Sequence, residues 1–301
     1  MLSKAVILAA GSASRMQKNI ERYISNREEL SAVKKGEKMA ASFENYPFLD
    51  YQILNLIQAG LREINLVLNP EDTFFTNHYN KNGKILFPEA VISYSFQKIP
   101  DGTAHAVLVA ERFINGDRFV VLNGDNNYSA RSIQMLLNTP EKYSSMVAFD
   151  TVGFNESTRE KLKSFAVVET EDGKLREIVE KTQNPEKYIT RDLLYTINND
   201  RLRVNNSIMT SMNLWCFAPA MMYACRDVGR YEPRKEGKPG EFELPDAVKL
   251  WMQQGGEILV YYACEDVLDL TMAEDVKIVG SNIRKNLIDK MLELEKRYTR
   301  L

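Results

Sequence analysis

Histidine and cysteine are scarce in this chain, and their scarcity removes several chemistries at once. Only His78 and His105 occur in 301 residues, which excludes a multi-histidine metal site. Cys216, Cys225 and Cys264 are scattered and outside any metal-ligand spacing. They fit reduced thiols in or near the core of a cytoplasmic protein, not a disulfide framework. A run of about 18 apolar residues is also missing, so no membrane-spanning helix and no membrane partner are expected. The N-terminus has no basic segment leading into an apolar stretch of signal-peptide length. Excess charge is absent: the net charge is −2, which gives no footprint for nucleic acid. The G-x-G-x-x-G fingerprint and the G-K-[ST] ending of a P-loop do not occur, which disfavours a nicotinamide dehydrogenase and a P-loop enzyme. No internal repeat is visible, and no hexapeptide pattern points to an appended β-helix.

The remainder is the composition of an ordinary globular protein, 44% hydrophobic and 27% charged. Its length allows one large or two small domains with ample core. Over the first half, strand-like runs at Ala5–Ala10, Glu63–Leu68, Val91–Phe96 and Arg118–Leu122 alternate with helical patterns at Pro47–Ala59, Glu71–Tyr79 and Thr103–Phe113. Such alternation predicts an α/β fold, a mixed, mostly parallel sheet with helices on both faces. Ligands of such sheets bind beyond the carboxyl ends of the strands, so the loops after Ala10, Phe96 and Leu122 should converge on one crevice. Gln17–Glu37 lacks periodicity and reads either as an inserted loop or short helix over that crevice or as a solvated excursion. In the second half, Ser145–Phe149, Phe165–Thr170, Leu175–Glu180, Met212–Phe217 and Glu257–Ala263 read as strands, with a hairpin turn at Glu171-Asp172-Gly173-Lys174. Tyr188–Asn206 reads as loops or a helix, and Val228–Glu241 as a mobile loop. Phe242–Gln254 and Ala273–Arg300 read as helices, with Asp275, Lys277, Arg284, Lys285 and Asp289 on the wet side of the last one.

Five local features carry chemistry. Directly after the first strand, Gly11-Ser12-Ala13-Ser14-Arg15 offers small residues whose backbone N–H groups can approach a phosphate, and a guanidinium that can bind it in two places. Gln97 follows a strand and Gly102-Thr103 opens a helix; the Gln amide can read a base edge, and Gly102 lets a base lie on bare backbone. Asp125, in Asn123-Gly124-Asp125-Asn126, sits at a strand end where a carboxylate can hold Mg²⁺ between phosphates. Asp269 lies inside the apolar run Val267–Leu270, where a charge is costly unless paired or bound to metal. Lys38 and Glu180-Lys181 supply point charges suited to a phosphate. Each feature alone also fits a tight turn or a solvated surface group.

Taken in order, these features resemble the sugar-1-phosphate nucleotidyltransferases, the nucleotide-diphosphosugar pyrophosphorylases. Similarity is greatest to the glucose-1-phosphate thymidylyl- and uridylyltransferases. The family's Leu-Ala-Ala-Gly-x-x-x-Arg matches Leu8 to Arg15, and its Pro-Lys, with a proline nine residues on, matches Glu37-Lys38 and Pro47. Gln-x-x-x-x-Gly matches Gln97 to Gly102, and Gly-Asp-Asn matches Gly124 to Asn126. Glu-Lys-Pro matches Glu180-Lys181-Thr182, and the family's late Asp matches Asp269. The likeness runs over roughly residues 3 to 276. It implies a Rossmann-like nucleotidyltransferase domain over 1–276, with a nucleotide half to about residue 130 and a sugar-phosphate half to 276, then a C-terminal helix over 277–301.

The resemblance implies a reaction in which an NTP and a sugar 1-phosphate give an NDP-sugar and pyrophosphate, with Mg²⁺. It assigns Arg15, Lys38 and Lys181 to catalysis, Leu8, Ala9, Ala10, Gly11, Ser12, Gln97, Gly102 and Thr103 to the nucleotide, Glu180 and Lys181 to the sugar phosphate, and Asp125 and Asp269 to the metal. A glutamine facing the base favours UTP, dTTP or CTP. The chain departs from the pattern at Ala13, where a second glycine is usual, at Glu37 and Thr182, where prolines are usual, and at Thr271, where a glycine is usual. Its segment between Arg15 and Lys38 is also longer. These departures keep two alternatives open: a polyol, choline or amino-sugar phosphate as acceptor, or a non-catalytic nucleotide-sugar-binding protein of the same fold. The apolar positions of Ile278–Leu301 fall at helical spacing and can pack on the domain or form a homo-oligomer contact.

Overall fold

Lys4–Leu8 (β1) is apolar on both sides because both faces of its sheet are covered. Ala5 and Ile7 enter one core and Val6 the other. The computed structural model describes residues 2–11, 13–180, 182–190, 193–197, 200–204, 207–229 and 240–298. In it, Glu63–Leu68 (β2), Val91–Phe96 (β3) and Phe119–Asn123 (β4) join β1 in the order β3-β2-β1-β4, all parallel. The expected crevice therefore lies at the carboxyl ends of these strands. Three backbone hydrogen bonds knit that rim: Ala9 N to Val67 O, Gln97 N to Leu68 O and Gly124 N to Leu8 O, at 2.8–2.9 Å.

The second half adds Ser144–Asp150 (β5), Ala166–Glu171 (β6), Lys174–Val179 (β7), Ser207–Phe217 (β8) and Ile258–Ala263 (β9). The order continues β4-β8-β5-β9-β7-β6. Here β9 is parallel to β5, and the other pairings are antiparallel. The sheet is thus mixed, with its continuous parallel block confined to the first half. β6 also pairs back onto β8 through Val167–Thr210 and Ala166–Ser211, so β8, β5, β9, β7 and β6 form a closed circuit. β6 and β7 are joined by the expected turn, with Asp172 and Gly173 at φ 49° and 73°, the backbone a two-residue hairpin asks for.

Helices cover both faces. Phe48–Ala59, Phe74–Leu86 and Ala130–Leu137 pack on the Ala5/Ile7 face. Thr103–Val109, Met221–Asp227 and Leu244–Gln253 pack on the Val6 face. Phe48–Ala59 ends at Gly60, whose φ of 109° closes the helix in the left-handed conformation.

Several expectations are corrected. Tyr188–Asn206 is mainly strand where it is described: after Tyr188, which ends a short 3-10 helix, Ile189–Thr190 pairs with β8, and Leu193–Ile197 pairs antiparallel with Asp200–Val204. Its polar content masks a β-branched and aromatic run, Leu-Leu-Tyr-Thr-Ile, suited to a strand. Gln17–Glu37 contains the helix Arg27–Lys34, capped by Asn26, whose side chain accepts from Glu28 N and Glu29 N. Ile20, Ile24 and Val33 of this segment are buried in the core, so it is not a solvated excursion. The helical run from Ala273 breaks at Leu287 into Asp275–Asn286 and Ile288–Tyr298. Asp275 is buried, not on a wet face. Cys216 and Cys225 are buried and Cys264 is exposed. Residues 230–239 of the expected Val228–Glu241 loop lie outside the described residues. Among the described residues, no helix is long and apolar enough to cross a membrane.

Candidate active site

Two adjoining cavities open at the carboxyl ends of β1, β3 and β4. The first, of about 360 Å³, is lined by Leu8, Ala9, Ala10, Gly11, Arg15, Lys38, Gln97, Gly102, Thr103, Asp125 and neighbours. The second, of about 490 Å³, is lined among others by Glu180, Ser211, Met212, Asn213, Glu243, Asp269 and Thr271. Arg15, Thr103, Asn123 and Asp125 border both, so the cavities are two lobes of one cleft. The structure thus brings together the expected residues that it describes. Ser12 and Lys181 lie outside the described residues. No residue of 17–37 lines either lobe, so the insertion does not cover the cleft.

Local backbone explains the first lobe. Ala13 stands at φ 52°, a left-handed position that explains why a glycine suits it better. Gly102 is at φ 95°, and a Cβ there would collide with the backbone of Phe242. Bare backbone at 102 is therefore required by the fold as well as available to a ligand. Gln97 is buried, and its Nε2 donates to Gly102 O at 3.1 Å and faces His105 Nδ1 at 3.1 Å. The Thr103 hydroxyl donates to Glu243 Oε2 and accepts from Leu244 N, both at 2.8 Å, which ties the two lobes.

The acidic wall is built by a short two-stranded ladder. Leu268–Asp269 pairs antiparallel with Asn126–Asn127, and Leu270 N donates to Asp125 O at 2.8 Å. This places the side chains of Asp125 and Asp269 on the same lobe, from positions far apart in sequence. Asp125 forms a short ion pair with Lys38. Asp269 accepts from Thr271 Oγ1 at 2.8 Å and Asn126 Nδ2 at 3.3 Å on Oδ1, and from Lys161 Nζ at 3.0 Å on Oδ2. Burial, and next the charge of Asp125, raise its carboxyl above the ordinary aspartate range.

A nucleotidyl transferase family model matches residues 4–239, most of the chain. The chain belongs to the nucleotidyl transferase family. It is similar to the UTP–glucose-1-phosphate uridylyltransferase AglF of Haloferax volcanii, 23% identical over 85% of this chain and 86% of that one. It is similar to the UTP–glucose-1-phosphate uridylyltransferase of Bacillus subtilis, 23% identical over 82% of this chain and 79% of that one. The fold is shared with a UDP-glucose pyrophosphorylase from Acinetobacter baumanii, with a TM-score of 0.64, 15% identity, and coverage of 100% of this chain and 99% of that one.

Two residues behind the acidic wall escape motif reading. Lys161 bridges Asp269 and Asp275, the latter at 2.7 Å. Burial lowers its ammonium pKa, and the two carboxylates more than reverse that, so it stands above the usual lysine value. Asp275 Oδ2 in turn accepts from Thr271 N and Met272 N, which orders the loop after Asp269. No sequence signal marks Lys161.

Proposed function

We propose that this nucleotidyl transferase joins an NTP to a sugar 1-phosphate, releasing pyrophosphate and an NDP-sugar. The observation that carries the reading is the two-lobed cleft, with the small-residue loop in one lobe, Glu180 in the other, and Arg15 and Asp125 bordering both. A triphosphate fits the first lobe and an acceptor the second, so the two phosphates meet beside the acidic wall. The names of the relatives agree with these substrates.

The reaction needs no covalent intermediate. A sugar-phosphate oxygen attacks the α-phosphorus in line, and pyrophosphate leaves with the bonding electrons. Catalysis is then positioning and charge neutralisation. The backbone of Gly11 and the Arg15 guanidinium hold the leaving phosphates. Lys38 exchanges Asp125 for the α-phosphate, Lys181 holds the sugar phosphate, and Glu180 accepts from a sugar hydroxyl. Leu8, Ala9, Ala10, Gly102 and Thr103 shape the floor for the base.

Mg²⁺ fits the donor set: two carboxylates on one wall, hard oxygen ligands that leave room for phosphate oxygens. Asp125 and Asp269 would hold it. When bound, it neutralises phosphate charge and aligns the reactants.

The Gln97 amide narrows the base. A carbonyl only accepts, so Gln97 must turn its NH₂ toward Gly102 O. Its Oε1 is then the edge offered to a base, and an acceptor suits the N3–H of uracil or thymine better than the bare N3 of cytosine. UTP or dTTP therefore stand ahead of CTP. A cytoplasmic setting accords with buried free thiols at Cys216 and Cys225, whose pKa values burial raises to about 11 and about 12.

The test is pyrophosphate release with Mg²⁺ across four NTPs and a panel of sugar 1-phosphates. Release requiring one NTP–sugar pair supports the reading and names both substrates. No release from the panel, but release with a polyol, choline or amino-sugar phosphate, moves the acceptor class. Nucleotide binding without any release overturns catalysis.

A further inference from the structure

β8 changes partners along its length. Its C-terminal part pairs with β4 and its N-terminal part with β6. The pairing with β5 is interrupted between Ser211 and Trp215. Asn213 lies inside this irregularity at φ 59°, in the left-handed region that asparagine tolerates better than most side chains. Consecutive residues of a regular strand point to opposite faces. Here Ser211, Met212 and Asn213 all line the second lobe, so the run departs from strict alternation where the bulge lies.

The bulge is held on three sides. The Tyr128 hydroxyl donates to Met212 O, Asn213 N donates to Ser211 Oγ at 3.3 Å, and Trp215 Nε1 donates to Asn213 Oδ1 at 3.3 Å. Trp215 is fully buried. An indole N–H can only donate, so it fixes the sense of the Asn213 amide. The oxygen end is engaged by Trp215, which leaves the NH₂ as the end of the amide able to donate to a ligand. Glu180, an acceptor, lines the same lobe. Backbone strain held by surrounding contacts concentrates at functional positions.

We propose that Asn213 is a specificity-determining residue of the acceptor lobe, donating to a ring hydroxyl of the sugar 1-phosphate while that hydroxyl donates to Glu180. The proposal rests on the sugar 1-phosphate reading. A hydroxyl gives and takes one hydrogen bond, so it satisfies both side chains at once. A deoxy sugar leaves the Asn213 donor without that acceptor, and a sugar carboxylate in the place of that hydroxyl would stand against the charge of Glu180. The acceptor class is therefore a neutral hexose 1-phosphate with that hydroxyl unmodified.

The test compares wild type, Asn213→Gly and Asn213→Asp on the preferred hexose 1-phosphate and its monodeoxy analogues. Glycine keeps the left-handed backbone and removes the amide. Aspartate still accepts from Trp215 and replaces the donor with an acceptor. Wild type should disfavour one deoxy analogue by about tenfold or more in kcat/KM, since a site built for a hydroxyl is left unpaired without it. In both variants that discrimination should fall severalfold, the part that remains being the contact with Glu180, with the KM for NTP and the melting temperature little changed. Unchanged discrimination in both variants overturns the proposal. So does an equal loss on every sugar and on NTP, which marks a structural role. A wild type that turns over no sugar 1-phosphate overturns the underlying reading, and the proposal with it.

Discussion

Lys161 Nζ lies 3.0 Å from Asp269 Oδ2 and approaches it from outside the two-lobed cleft. Lys161 lines a separate small pocket behind Asp269, with Asp275 beside it. The ammonium therefore balances two buried carboxylates and fixes the direction of one of them. Removing one partner of a buried ion pair leaves the other charge uncompensated.

Lys161→Met is expected to lower stability by about 2–3 kcal/mol, a discounted value because the Lys161 side chain retains some exposure. It is also expected to lower kcat about tenfold or more, because Asp269 loses its fixed orientation. Thermal unfolding and steady-state kinetics read the two effects separately. Lys161→Arg, which can span both carboxylates, should restore part of each. A stability loss with kcat unchanged would reduce Lys161 to a structural counter-ion.

A second pairing sets a pH dependence. Glu37 is buried against Asp72, and burial, then the Asp72 charge, raise its pKa from 4.5 to about 7, against lowering by Lys35 and by the Thr73 N–H. Burial raises Asp72 as well, against lowering by the N–H groups of Thr76 and Phe75. Asp72 Oδ1 accepts from Phe75 N and Thr76 N, whereas Oδ2 is buried with no hydrogen-bond partner among the described residues. A proton held by Glu37 is the natural donor to Asp72. The native state holds this proton above pH 4.5 while the unfolded chain releases it, so stability falls as pH rises from 4.5 through about 7 and then levels. Each unit of displacement corresponds to about 1.4 kcal/mol. Glu37→Gln keeps a donor and removes the titration. Its unfolding free energy should exceed wild type at pH 8 by more than at pH 5, as measured by urea denaturation at both values. Parallel curves at the two values would exclude Glu37 as the titrating group.

The order of chemistry along the chain was legible because motif residues at strand ends are local: β1 with Gly11, β4 with Asp125, and Gln97 after β3 each announce themselves by a short apolar run meeting a polar turn. Their convergence follows from parallel topology alone. The contacts across the acidic wall were not legible. Lys161 meets Asp269 only after a two-residue ladder folds Asp269 onto Asn126, and no periodicity encodes that. Tyr188–Asn206 misled because polar and charged residues outnumber the short β-branched run within it. Asp275 misled because its side chain turns back to Thr271 N, Met272 N and Lys161, contacts that helical periodicity does not encode.

The Lys38–Asp125 pair makes the last prediction, and its two readouts have opposite signs. Lys38 and Asp125 neutralise each other across the first lobe. For the proposed reaction both must change partner, Lys38 toward phosphate and Asp125 toward Mg²⁺. A neighbouring ammonium competes with a cation for the same carboxylate. Lys38→Ala should therefore bind Mn²⁺, a probe for Mg²⁺, more tightly than wild type in the absence of nucleotide, by about threefold to tenfold if the lost charge–charge term is on the order of 1 kcal/mol. The same variant should lose two or more orders of magnitude in turnover, because the positive charge facing the α-phosphate is gone. Calorimetry with Mn²⁺ and pyrophosphate-release kinetics separate the two. Weaker Mn²⁺ binding in Lys38→Ala would mean that Lys38 organises Asp125 for the metal instead of competing with it. Unchanged turnover would remove Lys38 from the reaction.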